Sequence, residues 1–558
     1  MNRLQHNVWP EGLPHEIPAT TTTIYETLAH TAARVPEQKC LSFYGKSLSY
    51  AEVAASATRI AGYLQAKCGV KPGDRVAIYA QNCPQYLLAL YGILRAGAVV
   101  VPVNPMNLLR ETRYIMENAG ADVIFVAQDR HEYISPLLDD GTLKHAISLC
   151  YADYLPETPT LDVPEAIACK RLELPNMFTS WEAAVQCEIA ALAYTRTPED
   201  LAILPYTSGS TGQGKGCMHT NASVLHAARS IYDWFGFSET DTFLSVSPMF
   251  HVVGLQCGLI APVVIGATTV ILPRWDKVAA TQIIRDEKVT VWPTVPTMVM
   301  DFVNRSDLKR EDVSSLRTIF GGGIAMPEAV AERLFDLTGL TFLEGYGLTE
   351  TIAPTTANPV DNPKRQCGGI PVFNTDVVIA DPDTQALMKT GDVGEILIAG
   401  PQVMQGYWNN DEANSEAFVM LEGMKFLRTG DLGRMDENGY VFIVDRLKRM
   451  INASGFKVWP TEVEATLYRH PDIAEACIIS SADPYRGETV KALVVLREGA
   501  TCTGEDITTW AHENMAAYKV PRLVEFVDAL LKSGSGKVLW RELQIAENNT
   551  QKTEKSAP

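Results

Sequence analysis

The sequence predicts an α/β protein. Its large N-terminal domain consists of βαβ-type sheets covered by helices plus a small β-barrel-like part, and a small mobile α+β C-terminal domain follows. Three observations carry that prediction. Strand-like and helix-like runs alternate through the first third of the chain. The strand-like runs are apolar throughout rather than at every second residue, which marks parallel strands covered on both faces. After about residue 370 the pattern shifts to shorter β segments, and after about 450 to a compact α+β alternation.

The elements follow in order. DRVAIYAQN (74–82) reads as a strand and CPQYLLALYGILRAG (83–97) as an apolar helix ending at Gly97. AVVVPVNP (98–105) is a strand, LRETRYIMENAG (109–120) a helix and ADVIFVA (121–127) a strand. Residues 150–195 are Pro-rich and polar and read as a long surface insertion. Strands resume at 201–208, 268–273, 289–296 and 316–323. DVVIAD, GEILIAG and GYVFIVD supply the later β part. EVEATLYRHP, EACIISSA, VKALVVL and DITTWAHENM supply the C-terminal domain. The polar stretch DRLKRMINASG (445–455) lies between two apolar blocks and is a candidate hinge.

Composition narrows the function. Of 558 residues, 46% are hydrophobic and 20% charged, which excludes a disordered chain. Lys and Arg total 48 against 66 Asp and Glu, a formal charge of −18, which argues against nucleic-acid binding through phosphate neutralisation. A local nest of backbone N–H groups can still hold a phosphate in an acidic protein. The 11 cysteines show no C-x-x-C pair, so reduced thiols in a cytoplasmic protein are expected, not a disulfide framework or zinc ribbon. The N-terminal residues carry no apolar core of a secretory signal. Val252 to Pro273 is uncharged and long enough to span a bilayer. Gly254, Gly258, Pro262 and Gly266 interrupt it, so it reads as a buried helix–turn–strand with no membrane span.

TSGSTGQGKG (207–216) follows the strand LAILPY directly. Its glycines let successive N–H groups converge, its hydroxyls add donors and Lys215 adds a cation, which suits a polyphosphate. The candidate contacts are Thr207, Ser208, Gly209, Ser210, Thr211, Gly212 and Lys215. Gly209, Gly214 and Lys215 nearly complete a Walker A loop. Gly216 stands where such a loop needs Ser or Thr for Mg²⁺, which counts against an ordinary P-loop ATPase.

Five segments in order carry a resemblance. TSGSTGQGKG resembles the phosphate-binding loop of the adenylate-forming superfamily of acyl-CoA synthetases, peptide-synthetase adenylation domains and firefly-type luciferases. PMFHVVGL (248–255) is similar to its substrate gate and GYGLTE (345–350) to its adenine and Mg²⁺ segment. TGD (429–431) with DRLKRMI (445–451) is similar to its ribose and hinge segments, and SGSGKVLWREL (533–543) to the loop carrying its C-terminal lysine. The N-terminal third is most similar to bacterial medium- or long-chain fatty-acid–CoA ligases.

The resemblance implies site residues. Tyr346 would stack on adenine, with Gly323 and Gly347 beside the nucleotide. Thr349 would bind the α-phosphate, and Glu350, with Thr207, would hold Mg²⁺ through hard oxygen ligands. Asp431 would accept both ribose hydroxyls and Arg446 would add a second contact. Lys537 would stabilise charge on the phosphoryl oxygens during adenylation. His251 would gate the acyl pocket. Lys448 would be the pivot of a domain rotation that brings Gly455 and Lys457 to the thiol cofactor, so the resemblance implies an adenylation domain over 1–445, a hinge at 446–448 and a lid over 449–558 carrying the lysine. Arg449 departs from the common Asp after the pivot, Leu531 from a common Pro and Gly214 from a frequent Pro.

The expected activity is therefore ATP-dependent acid–CoA ligation. A carboxylate and MgATP give acyl-AMP and pyrophosphate, and coenzyme A then gives the thioester and AMP. His251 after Phe250 replaces the Asp that pairs an amino acid's ammonium, so a free amino acid is not expected. Gly347, with Gly321, Gly322 and Gly323, suggests a deep channel beside apolar Val252, Val253 and Met326. A medium- or long-chain fatty acid fits first, and an aryl or alicyclic acid second. Loading of a carrier protein in place of CoA remains a rival, and a homodimer is compatible with the sequence.

Overall fold

The computed structural model describes residues 4–207, 213–453, 456–483, 487–532 and 538–556. The chain divides into two compact units. The first comprises Met1–Val377, Ile398–Leu427 and Asn438–Tyr440, and the second Val378–Leu397, Arg428–Glu437 and Val441–Pro558. The protein is α/β, with a smaller C-terminal part following a large N-terminal one.

The first unit contains two large sheets. One has seven strands in the order Phe178–Ser180, His145–Leu149, Ala121–Ala127, Arg75–Tyr79, Val99–Val103, Leu201–Ile203 and His219–Thr220. All neighbours are parallel except the last pair. Val99–Val103 is buried at every position, as its unbroken apolar run requires of a central parallel strand. The adjoining helix Pro84–Arg95 starts with Pro at its first turn and is buried from Pro84 to Leu94. Gly92 lets it close on helix Tyr50–Lys67, because a Cβ there would lie 2.4 Å from Ile60 Cγ2.

The second sheet has nine strands: Ile370–Pro371, Thr356–Ala357, Phe342–Tyr346, Thr318–Gly322, Val291–Thr294, Thr242–Ser245, Thr268–Ile271, Lys39–Phe43 and Lys46–Ser49. Its centre is parallel and both ends turn antiparallel. Phe342–Tyr346 therefore delivers GYGLTE from the edge of the parallel core.

The uncharged stretch after His251 is a helix–turn–strand, as expected. Helix Val252–Leu255 runs through a π-helical turn, Gln256–Ile260, into Ala261–Ile265, and Gly266 at φ +91° leads to strand Thr268–Ile271. Among the described residues no helix is long and apolar enough to cross a membrane. The surface-insertion reading of 150–195 needs correction at its C-terminal end. Phe178–Ser180 adds an edge strand to the seven-stranded sheet, and Trp181 is 2% exposed and meets Phe125 edge-on. Two aromatic anchors outweigh the polar residues around them.

In the second unit, Val441–Arg446 pairs antiparallel with the C-terminal half of Met424–Met435, setting Asp431 opposite Arg446. A further sheet runs Phe456–Val458, Ile451–Ala453, Gly487–Leu496, Ile473–Asp483, with Leu523–Phe526 parallel to Gly487–Leu496. Helices Pro460–Leu467 and Gly504–Asn514 contribute Val463, Leu467 and Ile507 to its core.

Arg449, unusual against the resemblance, lies inside this unit. It forms a buried ion pair with Glu464 and donates to the Ile478 carbonyl at 3.1 Å. Glu464 accepts the Ile478 amide at 2.7 Å. Burial works against the guanidinium charge, but Glu464 and Asp445 outweigh it and raise its pKa. Arg449→Met would leave Glu464 buried without a cation and is expected to destabilise this unit by about 3–5 kcal/mol. Arg449→Met/Glu464→Leu should recover much of that loss in urea unfolding. A double variant as unstable as the single one would refute the pairing.

Candidate active site

The Gly/Ser/Thr-rich run at 207–216 leaves strand Leu201–Ile203, and the chain returns at His219–Thr220. The Thr207 amide donates to the Lys215 carbonyl at 2.9 Å, and the Lys215 amide to Thr207 Oγ1 at 3.1 Å. Tyr206 and Gly216 form an antiparallel bridge next to them. Gly214 is required at this neck, because a Cβ would lie 2.7 Å from the Thr207 carbonyl oxygen. Ser208, Gly209, Ser210, Thr211 and Gly212 lie outside the described residues.

The exit of this run is stitched to a distant segment of the same unit. The Trp408 amide donates to the Gly216 carbonyl at 2.8 Å, the Met218 amide to Gly406 at 2.9 Å, and the Gln405 amide to Met218 at 2.9 Å. Tyr407 is thereby placed between two expected site residues. Its hydroxyl donates to Glu350 Oε1 at 2.8 Å, and Lys215 Nζ lies 4.9 Å from its ring centroid. The Met404 amide donates to the Glu350 carbonyl at 2.8 Å. Cys217 is fully buried here. Burial and then the Glu350 charge push its thiol pKa well up, against Lys215, so it stays protonated.

Tyr346 ends its strand, and Thr349–Thr351 forms a single 3₁₀ turn. Thr351 Oγ1 accepts the Leu348 amide at 2.9 Å. Ile352 and Ala353 follow at φ +47° and +42°, left-handed geometry that non-glycine residues rarely adopt. Fully buried His219 locks the turn from beneath, with Nε2 2.8 Å from the Thr349 carbonyl. Burial lowers the His219 pKa to about 4, so the ring is neutral with its proton on Nε2 for that bond. His219 Nδ1 is buried and has no hydrogen-bond partner among the described residues.

The neighbouring glycines have a packing reason. A Cβ at Gly321 would lie 1.7 Å from the Thr294 carbonyl oxygen, and one at Gly322 2.1 Å from that of Gly345. At Gly347 it would lie 3.1 Å from Ala353 Cα and 3.2 Å from Pro354 Cα. Backbone approach explains these three without reference to a channel. Gly323 takes φ +100° at the turn leaving its strand.

Glu344, two residues before Tyr346, is 6% exposed. Its Oε1 accepts the Gln366 amide at 2.7 Å and its Oε2 the Met326 amide at 3.1 Å. Burial raises its pKa to about 7, with the amide bonds pulling the other way. His251 is half-buried and caps helix Val252–Leu255, its Nδ1 accepting the Val253 amide at 3.4 Å.

The second unit carries Asp431 and Arg446. They form an ion pair, Nε to Oδ1 2.8 Å, with the Asp431 side chain 5% exposed. The Asp431 amide donates to Thr429 Oγ1 at 3.0 Å, and Gly430 at φ +67° turns the strand. Gly455 and Lys537 lie outside the described residues, as do the side chains of Lys448 and Lys457.

The structure thus brings Thr207, Lys215, Thr349 and Glu350 into one linked cluster and Asp431 and Arg446 into another. Sequence reasoning missed Tyr407, His219 and Glu344. The only local signal for the first was the aromatic pair in QGYWNN.

This architecture is that of an adenylate-forming enzyme, and the comparisons agree. Residues 28–408 match the family described as AMP-binding enzyme, and residues 462–537 match the AMP-binding enzyme C-terminal domain. The chain belongs to the AMP-binding enzyme family, and within it to the AMP-forming acyl-CoA synthetases. It is 34% identical over 544 residues to a long-chain-fatty-acid–CoA ligase of Bacillus subtilis strain 168, covering 96% of each chain. It is 32% identical over 512 residues to a feruloyl-CoA synthase of an Amycolatopsis species, covering 91% of this chain and 96% of the other. Among solved structures, ATP-bound MatB from Rhodopseudomonas palustris is similar, with a TM-score of 0.82 and 26% identity over 95% of this chain and all of that one.

Glu344 gives a test of the site's electrostatics. Its folded pKa lies above the ordinary carboxylate value, so its stabilising contribution is full below that value and lost as pH rises through about 7. His219 and His226, lowered to about 4, act with the opposite sign. Comparison with Glu344→Gln cancels both histidines. Between about pH 5 and pH 8 the wild-type melting temperature should fall relative to that of the variant. Parallel curves would show that Glu344 does not titrate there.

Proposed function

We propose that this chain activates a medium- or long-chain fatty acid with MgATP and transfers the acyl group to coenzyme A. The observation that carries the reading is the linked cluster of Lys215, Tyr407, Glu350 and Thr349 at the neck of a phosphate-binding loop. The full-length likeness to long-chain-fatty-acid–CoA ligases supports the acid class. The eleven free cysteines support a reducing, cytoplasmic setting.

In the first step a carboxylate oxygen bonds to the α-phosphorus of ATP. The bond to the bridging oxygen breaks and pyrophosphate leaves. Thr207, Lys215 and the loop amides hold the phosphates, and Thr349 orients the α-phosphate. Glu350 and Thr207 offer the hard oxygen donors that fit Mg²⁺, and the ion bound there would offset phosphate charge. Tyr346 provides a face for adenine, and Asp431, oriented by Arg446, accepts from the ribose hydroxyls. Lys537 stabilises the charge that develops on the phosphoryl oxygens. In the second step the CoA thiolate attacks the acyl carbonyl carbon and AMP departs with the bonding electron pair. A hinge at 446–448 separates the two steps by rotating a lid of residues 449–558, which brings Gly455 and Lys457 to the thiol.

An aryl acid is the second reading, favoured by the likeness to a feruloyl-CoA synthase. Purified protein with MgATP and CoA is expected to release AMP, not ADP, with a rate maximum between medium and long straight-chain acids. Benzoate, cyclohexanecarboxylate and ferulate should be slower. A maximum at ferulate would establish the second reading, and thioester formed on a carrier protein but not on CoA would displace both. Lys537→Ala should abolish most acyl-AMP formation while sparing thioester formation from supplied acyl-AMP. Lys448→Pro should do the reverse, because proline fixes φ at the pivot. Equal losses in both steps would refute the rotation.

A further inference from the structure

We propose that Tyr407 is a positioning residue that keeps Glu350 and Lys215 apart, aiming the carboxylate at the metal ion and the ammonium at the polyphosphate. The inference rests on the roles given to those two residues above.

Tyr407 touches both groups with different parts of one side chain. The phenol donates to Glu350 Oε1 at 2.8 Å, a charge-assisted bond that fixes the carboxylate's direction. The ring face meets Lys215 Nζ at 4.9 Å from its centroid, a cation–π contact that supplies no counter-charge. Among the described residues no ion pair joins Lys215 to Glu350, although both flank Tyr407. Such a pair would reduce the carboxylate's attraction for a cation and the ammonium's attraction for phosphate.

The backbone around Tyr407 is held on several sides, so the ring cannot easily yield. Tyr407 bridges Cys217, two residues after Lys215. Its amide donates to Asn414 Oδ1 at 2.6 Å, and Asn414 Nδ2 donates to its carbonyl at 2.9 Å. Asn414 lies in helix Asp411–Ala417, whose first turn is capped by the Asn410 side chain. A ring placed by a helix, a cross-strand bridge and a carboxylate is a pre-organised spacer.

The two contacts can be removed separately. Tyr407→Phe keeps the ring and loses the hydroxyl, and Tyr407→Leu loses both. ATP binding to the full chain is measured by calorimetry with Mg²⁺ and with EDTA, after confirming that each variant melts near wild type. In EDTA, Tyr407→Phe should bind ATP as wild type does. It should lose about tenfold of the affinity that Mg²⁺ adds, as expected for a lost hydrogen bond to a charged group. Tyr407→Leu should also lose affinity in EDTA. The proposal is overturned if Tyr407→Phe keeps the full Mg²⁺ effect, if both variants lose equally in EDTA, or if wild-type binding ignores Mg²⁺. A Mg²⁺ effect sensitive to Tyr407 in a protein that releases no AMP with any acid would overturn the assigned reaction and leave this inference standing.

Discussion

The site rests on a short stretch of antiparallel pairing between residues 216–218 and 405–408. Three amide–carbonyl bonds join the exit of the 207–216 run to a segment nearly two hundred residues later. That pairing sets where Tyr407 lies, and Tyr407 sets the relation between Lys215 and Glu350. Backbone pairing suits this purpose because it is geometrically specific and independent of side-chain rotamers. The Met404 amide on the Glu350 carbonyl extends the same stitching to the Thr349–Thr351 turn. The neutral His219 completes it through the Thr349 carbonyl.

Two buried charges show two ways of meeting the cost of burial. Glu344 has backbone amides for partners, and these pull its pKa down without overcoming desolvation. Its protonation is thus balanced near neutrality, beside the strand end that carries Tyr346. Arg449 has a full counter-charge in Glu464, and that pairing outweighs desolvation. The first arrangement leaves a titratable group next to the GYGLTE segment. The second makes a fixed structural bond just after the expected pivot, so the chain is anchored from Arg449 onward.

Left-handed backbone collects around the same strand. Ile352 and Ala353 follow the Glu350 turn, and Gln366 at φ +54° presents its amide to Glu344. A β-branched residue in this region is unfavourable by itself. Complete burial of Ile352 and the hydrogen bonds of the Thr349–Thr351 turn hold it there. Strain of this kind persists only where the surrounding packing over-determines the conformation.

The sequence alone did not mark strands such as Thr242–Ser245 and Phe342–Tyr346. It did mark several apolar strands of the parallel sheets, the Gly/Ser/Thr-rich run at 207–216 and the order of the segments that carry the resemblance. Those features are local. An apolar run such as Val99–Val103 must be buried wherever it lies, and a Gly/Ser/Thr run closed by Lys215 exposes amides whatever surrounds it. Most of the 150–195 segment read as surface for the same reason, and Phe178 and Trp181 were hidden by their polar neighbours. Tertiary structure decided what the segments touch. Tyr407 and Glu350 are 57 residues apart in sequence, and nothing near either one encodes the other. Gly321, Gly322 and Gly347 read in one dimension only as small residues, and the structure adds that neighbouring backbone lies where a Cβ of each would stand. Arg449 read as a departure at a hinge and proves to be the buried partner of Glu464. Local composition fixes which groups are available, while packing between distant residues fixes their neighbours and hence their charge state and direction.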